Sequence, residues 1–126
     1  MNRLLLNFPK RFPVSHSKVF YTTRVYTETQ EWFMQENNHV KVGLSKDAIN
    51  QLNDLVFIDD DVDYDQVFQK GDPICTIESV KAVAEIMTPV KGKIIELNED
   101  IIDNLDEINK NPEDPNNWIV KLAEVS

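Results

Sequence analysis

The 126-residue sequence predicts a mainly β fold in which two small sheets pack face to face, with a few short helices. Short apolar or alternating segments follow one another along the chain, and turns rich in Gly, Pro, Asn and Asp separate them. Turn sequences recur on both sides of Lys81, because Gly71 lies ten residues before it and Gly92 eleven after it. The similarity of the two halves predicts two alike sheets of three or four strands, with Lys81 at the hairpin tip that joins them.

The segments before Lys81 predict strands and one helix. Residues 26–34 are rich in aromatic side chains and residues 40–44 alternate, which predicts two strands joined by a turn at Asn37-Asn38. Ser45 is predicted to cap a helix over residues 46–52, because its hydroxyl can accept a hydrogen bond from the first helical turn. The other segments on this side are a strand at residues 55–58, an acidic loop at residues 59–65 and a strand at residues 74–78.

The segments from the tip onward continue the β pattern with one helical stretch. In order, they predict a tip at residues 79–82, a strand at 83–87, a turn at 89–93, a strand at 94–97, helical turns within 98–109 and a closing strand at 118–125. Pro112 and Pro115 end the helical stretch, because proline cannot continue a helix.

The charge of the chain is distributed unevenly. Residues 1–24 hold five basic residues and no acidic one, whereas the remainder holds all 22 acidic and eight basic residues, a net charge of −14. A basic, acid-free leader is typical of an organellar targeting peptide, so residues 1–22 are predicted to direct the protein to the mitochondrial matrix. A basic disordered tail is the alternative.

The acidic body also limits the possible partners. Phosphate would be repelled by a charge of −14, so nucleic acid is not an expected partner, whereas basic surfaces of larger proteins are. No apolar run approaches the roughly 18 residues that cross a bilayer, so no membrane association is predicted.

The sequence offers few groups for catalysis. Cys75 is the only cysteine, which excludes an internal disulfide, and it is predicted as a small core residue rather than a reactive thiol. His16 and His39 have no second ligand nearby, so no metal site is predicted. No Ser/His/Asp set, phosphate loop or metal cluster is present in the sequence. The protein is therefore predicted not to be an enzyme.

Lys81 is singled out by its predicted position at a tip. A lysine there presents a reachable amine on a flexible four-carbon stem, which suits a modifying enzyme and a swinging arm. The alternative is an ordinary exposed lysine that only solvates a turn.

The residues around Lys81 carry a resemblance to a known family. Glu78-Ser79-Val80-Lys81-Ala82 is the pentapeptide that surrounds the lipoylated lysine in the H proteins of the glycine cleavage system. Lys70-Gly71-Asp72 before it, and residues 89–99 and 118–121 after it, match that family in type and spacing. The chain thus resembles the H-protein family over roughly residues 25–122.

The resemblance implies a lipoyl-domain-like β-sandwich, or barrel-sandwich hybrid, over residues 23–126, with lipoate bound covalently to Lys81. The side chains of Glu78, Ser79, Val80 and Ala82 would form the recognition tip. Such a monomer would shuttle the aminomethyl group of glycine on its arm. The partners implied are glycine decarboxylase (P protein), the aminomethyltransferase (T protein), dihydrolipoyl dehydrogenase (L protein) and a lipoate-attaching enzyme.

In this family the loaded arm lies in a shallow groove. By motif position, the groove would draw here on Thr29, Glu31, Leu44, Gln51 and Glu85. Gln51 stands where some members have His, so a role that needs a cationic imidazole is not implied for it. Ordinary polar surface packing is the alternative for all five positions.

Other carriers fit the sequence less well. Biotin carriers usually have Met on both sides of the lysine, and the lipoyl domains of 2-oxoacid dehydrogenases usually have Asp before it, whereas Val80 and Ala82 flank Lys81 here. An H-like protein that stores or relays lipoate for 2-oxoacid dehydrogenases remains an alternative to glycine cleavage.

Overall fold

A computed structural model describes residues 24–126 as two antiparallel sheets with short helices between their strands. The strands are β1 Val25–Tyr26, β2 Glu31–Glu36, β3 His39–Leu44, β4 Leu55–Ile58, β5 Pro73–Ser79, β6 Val83–Met87, β7 Gly92–Leu97 and β8 Val120–Glu124. The helices are α1 Lys46–Leu52, α2 Glu99–Ile102 and α3 Leu105–Lys110, and a 3₁₀ turn spans Pro115–Asn117. The predicted targeting peptide at residues 1–22 lies outside the described residues.

The two sheets differ in size. One has five strands in the order β1-β2-β3-β8-β7, and the other has three in the order β4-β5-β6. The mainly β fold is confirmed, but the prediction of three or four strands per sheet is wrong for the larger one. Alternating residues predict a strand, but they do not predict which strand lies beside it. Here β8 pairs with β3 through Val42↔Val120 and with β7 through Leu97↔Val120, so five strands form one sheet.

The segment predicted as one strand at residues 26–34 is a tight hairpin. Gln30 has a φ of 75°, and its N–H donates to the carbonyl of Thr27 at 3.2 Å. This left-handed residue turns the chain between β1 and β2. Aromatic content alone does not reveal such a turn, because neither Gly nor Pro marks it.

The helix predicted at residues 46–52 is confirmed as α1. The Ser45 hydroxyl accepts a hydrogen bond from the Ala48 N–H at 3.0 Å, which satisfies a donor that the helix leaves free. At the other end Asn53 adopts the left-handed conformation with a φ of 64°, and its N–H donates to Ile49.

The core lies between the sheets. Val40, Val42 and Leu122 of the five-stranded sheet, together with Ile77 and Ile86 of the three-stranded sheet, are almost completely buried in one apolar cluster. Cross-sheet burial of this kind supplies most of the stability of a small sandwich.

Cys75 belongs to this core, as predicted, with 5% of its surface exposed. Burial, with smaller contributions from the charges of Asp59 and Asp60, raises the pKa of the thiol to about 12. A group whose pKa rises on folding holds its proton more tightly in the native state. Its contribution to stability is complete below about pH 9 and is lost as the pH rises toward 12.

We therefore expect Cys75 to resist a thiol reagent such as dithionitrobenzoate in the folded protein near neutral pH, because the thiolate is the reactive form. One thiol should react promptly in urea. The free energy of unfolding should decline from about pH 9 upward, more steeply than in Cys75→Ala. Rapid labelling of the native protein at pH 7 would show that the thiol is accessible and would contradict this.

Candidate functional site

The predicted tip is the turn between β5 and β6. The prediction that this tip joins the two sheets is wrong, because both strands belong to the three-stranded sheet. These strands pair antiparallel up to Glu78↔Val83, and residues 80–82 connect them. Lys81 is exposed there, as are Val80 and Ala82. The three-stranded sheet therefore presents Lys81 at its end, with the ladder of β5 and β6 as a firm base.

The side chain of Ser79 holds this turn together. Its hydroxyl accepts hydrogen bonds from the N–H groups of Lys81 at 3.1 Å and Ala82 at 3.0 Å. The Ser79 N–H also donates to the Ala82 carbonyl at 2.8 Å. A serine hydroxyl that bonds to the backbone two or three residues on replaces the glycine or proline that a tight turn usually needs.

The Lys81 amine has one hydrogen bond, to a neighbouring helix. Its Nζ donates to the carbonyl of Gln51 at 3.3 Å, at the surface. Gln51 lies in the last turn of α1, where carbonyls are unpaired and no basic residue of the helix is present. A positive charge is favourable at a helix C-terminus, but an exposed contact of this length contributes little, so the amine remains reachable.

A second feature is a cleft of about 590 Å³ between β1, β2 and the end of β6. It is lined by Val25, Tyr26, Thr27, Glu28, Thr29, Glu31, Phe33, Lys70, Gly71, Met87, Thr88 and Pro89. More of this wall is apolar than polar, and its polar side chains include three threonines, Glu28, Glu31 and Lys70. Such a lining suits a ligand with an apolar body and one polar end.

Glu31 is the buried polar group of this cleft, with 1% of its surface exposed. One of its carboxyl oxygens accepts hydrogen bonds from the hydroxyls of Thr27 and Thr29. The other accepts the backbone N–H of Met87 at 3.0 Å. Because Glu31 begins β2 and Met87 ends β6, this carboxyl group ties the two sheets together beside the cleft.

The five predicted groove residues do not form one surface. Thr29 and Glu31 line the cleft, whereas Leu44 is 3% exposed and belongs to the core beside Glu31. Gln51 meets Lys81 instead, and Glu85 is exposed on β6 opposite Thr76. Their role toward an arm stays a prediction.

Sequence patterns missed several residues of the cleft. Met87 contributes a backbone N–H, and Lys70 and Thr88 contribute to the wall. No sequence signal identifies them, because their place depends on how the end of β6 lies against β2. The pair Lys70-Gly71 predicts a turn, and nothing in the sequence pattern predicts that it lines a site.

Glu113 is another residue that no motif marked. Its carboxyl group accepts hydrogen bonds from the Tyr26 hydroxyl at 2.6 Å and the Lys46 N–H at 2.7 Å, and it pairs with Arg24 at 3.5 Å. Burial alone would raise the pKa of this carboxyl, but the hydrogen bonds from Tyr26 and Lys46, with the charge of Arg24, lower it below its usual value. The cluster fastens the start of the described chain to α1.

The described part of the chain offers no site for a metal ion, since no three His, Cys, Asp or Glu side chains within it converge on a common point. Within residues 24–126, no helix is long and apolar enough to cross a membrane.

The sequence matches the family model described as glycine cleavage H-protein over residues 24–126. A glycine cleavage system H protein of Listeria innocua is 43% identical over 101 residues, which cover 80% of this chain and 79% of that protein. One of Dinoroseobacter shibae is 38% identical over 100 residues, covering 79% of this chain and 80% of that one. A probable H protein of Pyrococcus furiosus is 39% identical and covers 77% of this chain and 71% of that one.

Solved structures give the same result. A crystal structure of a glycine cleavage system H protein from Mycobacterium marinum superposes with a TM-score of 0.72 at 26% identity. The superposition covers 82% of this chain and 84% of that chain. The arrangement of sheets described above is therefore shared with that protein.

Proposed function

Because this chain belongs to the glycine cleavage H-protein family, whose role is to carry lipoate, we propose that Lys81 is its lipoyl attachment site. The observation that carries the proposal is the placement of Lys81: exposed, on a turn held by Ser79, at the end of the β5–β6 ladder. The members of this family are carriers rather than catalysts, so the side chains of this protein need only present and shelter the arm.

The residues at the tip fit an amide-linked group. The Lys81 amine has to lose a proton and give up its weak contact with the Gln51 carbonyl before it can attack. Its nitrogen then bonds to the carboxyl carbon of an activated lipoyl donor, the bond from that carbon to the activating group breaks, and a second proton leaves. When bound, lipoate supplies a redox-active disulfide and a sulfur carrier.

We further propose that the cleft around Thr29 and Glu31 shelters the end of the arm. A mostly apolar wall suits an aliphatic chain, and the Glu31 carboxyl would face a polar or positively charged end. Glu31 is already oriented by three donors, so it would not have to reorganise when the arm enters.

The proposed function is tested by the mass of the tip peptide. In protein isolated from its native source with lipoate available, tandem mass spectrometry should find a lipoyl group on Lys81. Lys70, in the turn before β5, and Lys91, in the turn after β6, are the internal controls. Both should be unmodified. An unmodified Lys81 in such a preparation would refute the proposal.

The partners proposed for the loaded protein are the P, T and L proteins of glycine cleavage, and the matrix of the mitochondrion is the proposed location. Residues 1–22 would be the targeting peptide. A boundary that leaves Arg24 in the mature protein is supported by the contacts of this residue, since its guanidinium pairs with Glu113 and lies 4.7 Å from the centre of the Trp32 ring. N-terminal sequencing of the native protein should find a start between residues 18 and 25, and a retained Met1 would count against targeting.

Docking to these partners should weaken with salt. Residues 25–126 carry a net charge of −14, so long-range attraction would bring the protein to basic surfaces. We expect the apparent KM of dihydrolipoyl dehydrogenase for the lipoylated protein to rise several-fold between about 0.05 and 0.5 M ionic strength, because screening shortens the range of the attraction. Free lipoamide, which is uncharged, is the control and should show little change. An equal response of both substrates would mean that the charge of the carrier is incidental.

A further inference from the structure

Exposed apolar side chains are concentrated around the lysine tip. Eight large hydrophobic residues are exposed within the described part of the chain, and half of them belong to the three-stranded sheet or its tip. The four are Val56 (54%), Phe57 (47%), Val80 (75%) and Val83 (67%). Scattered exposed apolar residues are ordinary, but a cluster beside a functional group marks an interaction surface.

The strand register places two of them on one face. Phe57 pairs with Glu78, and Glu78 pairs with Val83, so these three side chains form one row across the sheet. The next position along the sheet pairs Ile58 with Ile77 and points into the core, where both are buried. We call the solvent side of this sheet the outer face, which comprises Phe57, Thr76, Glu78, Val83 and Glu85.

The outer face has one sign of charge. Strands β4, β5 and β6 contain no lysine or arginine, whereas Glu78 and Glu85 lie on the outer face and Asp59 follows β4 directly. Lys81 at the tip is the nearest cation in sequence. An apolar row flanked by carboxyl groups is complementary to a shallow apolar depression rimmed by Lys or Arg.

The reach of an unmodified lysine decides which partner must touch this face. The Lys81 amine extends only about 6 Å from its Cα, the length of its four-carbon stem. An enzyme that acylates this amine has to pack against the tip and the adjoining sheet, whereas enzymes served by the longer lipoyl arm can sit farther away.

We propose that the outer face, centred on Phe57 and Val83, is the docking surface for the lipoate-attaching enzyme, and that this enzyme meets it with a basic-rimmed apolar depression beside its acyl site. The inference rests on lipoylation of Lys81, which is the proposed function. Beyond the peptide around the lysine, the outer face is then a second surface that the modifying enzyme contacts.

The test follows lipoylation of purified unmodified protein by a lipoate ligase with lipoate and ATP, using intact mass. Val83→Ser and Phe57→Ser should each lower kcat/KM about tenfold or more, mainly by raising KM, as removal of a central apolar anchor does. Ile95→Ser removes a similarly exposed apolar side chain from the five-stranded sheet and should leave the rate unchanged. Thermal unfolding verifies that each variant is folded, and Val83 is exposed enough that its replacement should not affect folding.

A charge variant tests the same surface independently. Glu85→Lys should slow lipoylation and flatten its dependence on salt, whereas Glu124→Lys, on β8 of the other sheet, should do neither. Wild-type rates for folded Val83→Ser and Glu85→Lys would overturn the docking surface while leaving lipoylation of Lys81 intact. Equal losses in Ile95→Ser would also overturn it. A wild-type protein that accepts no lipoyl group would instead refute the proposed function.

Discussion

Replacement of Lys81 by arginine is expected to abolish glycine-dependent NADH formation while leaving the fold intact. Arginine keeps the positive charge and is at least as long as lysine, but its guanidinium stays protonated and cannot form the amide. The side chain is exposed and makes a single surface hydrogen bond, so the free energy of unfolding should change by no more than about 0.5 kcal/mol.

The measurement is a reconstitution with the P, T and L proteins, glycine, tetrahydrofolate and NAD. Lipoylated wild-type protein should support turnover, and Lys81→Arg should give the rate found without any carrier. The matched control is Lys91→Arg, because Lys91 lies in the connection after β6 and not at the tip. This variant should keep full activity. Turnover by Lys81→Arg would show that the arm is attached elsewhere. A lipoylated wild-type protein that supports no turnover would favour the storage or relay role.

Replacement of Glu31 by alanine is expected to cost about 2–4 kcal/mol of unfolding free energy, a large share of the stability of a small domain. The carboxyl group is almost completely buried and accepts hydrogen bonds from Thr27, Thr29 and the Met87 N–H. Without it, the Met87 N–H loses its acceptor and the end of β6 is no longer tied to β2.

Urea unfolding of the unmodified protein measures this effect without the arm. Glu31→Gln is the informative control, since its amide keeps an oxygen for Met87 and loses the acidity. We expect Glu31→Gln to recover more than half of the lost stability. If lipoylated Glu31→Gln is stable but slow in glycine cleavage, the carboxyl group acts on the arm as well as on the fold. A loss below about 1 kcal/mol in Glu31→Ala would contradict the structural role.

Local structure was determined by local sequence. Ser45 predicted the start of α1 because its hydroxyl can accept a hydrogen bond from a free N–H of the first helical turn. That hydrogen bond depends on no residue distant in sequence. The strands at residues 55–58 and 83–87 were predicted with their observed bounds, because apolar runs between polar turns have few alternatives. The pentapeptide at the tip likewise predicts Lys81 as the attachment site, because five adjacent residues can be compared with a family signature without knowledge of the fold.

The tertiary structure decided what depends on contacts between distant segments. The sheets of five and three strands follow from the pairing of β3 with β8, which are separated by most of the domain in sequence. The joining of Glu31 to Met87, and with it the cleft, arises only when two sheets meet. The sequence cannot predict which donor a carboxyl group on an alternating strand will bond to. Here the donor is a backbone N–H, and every residue except proline has one.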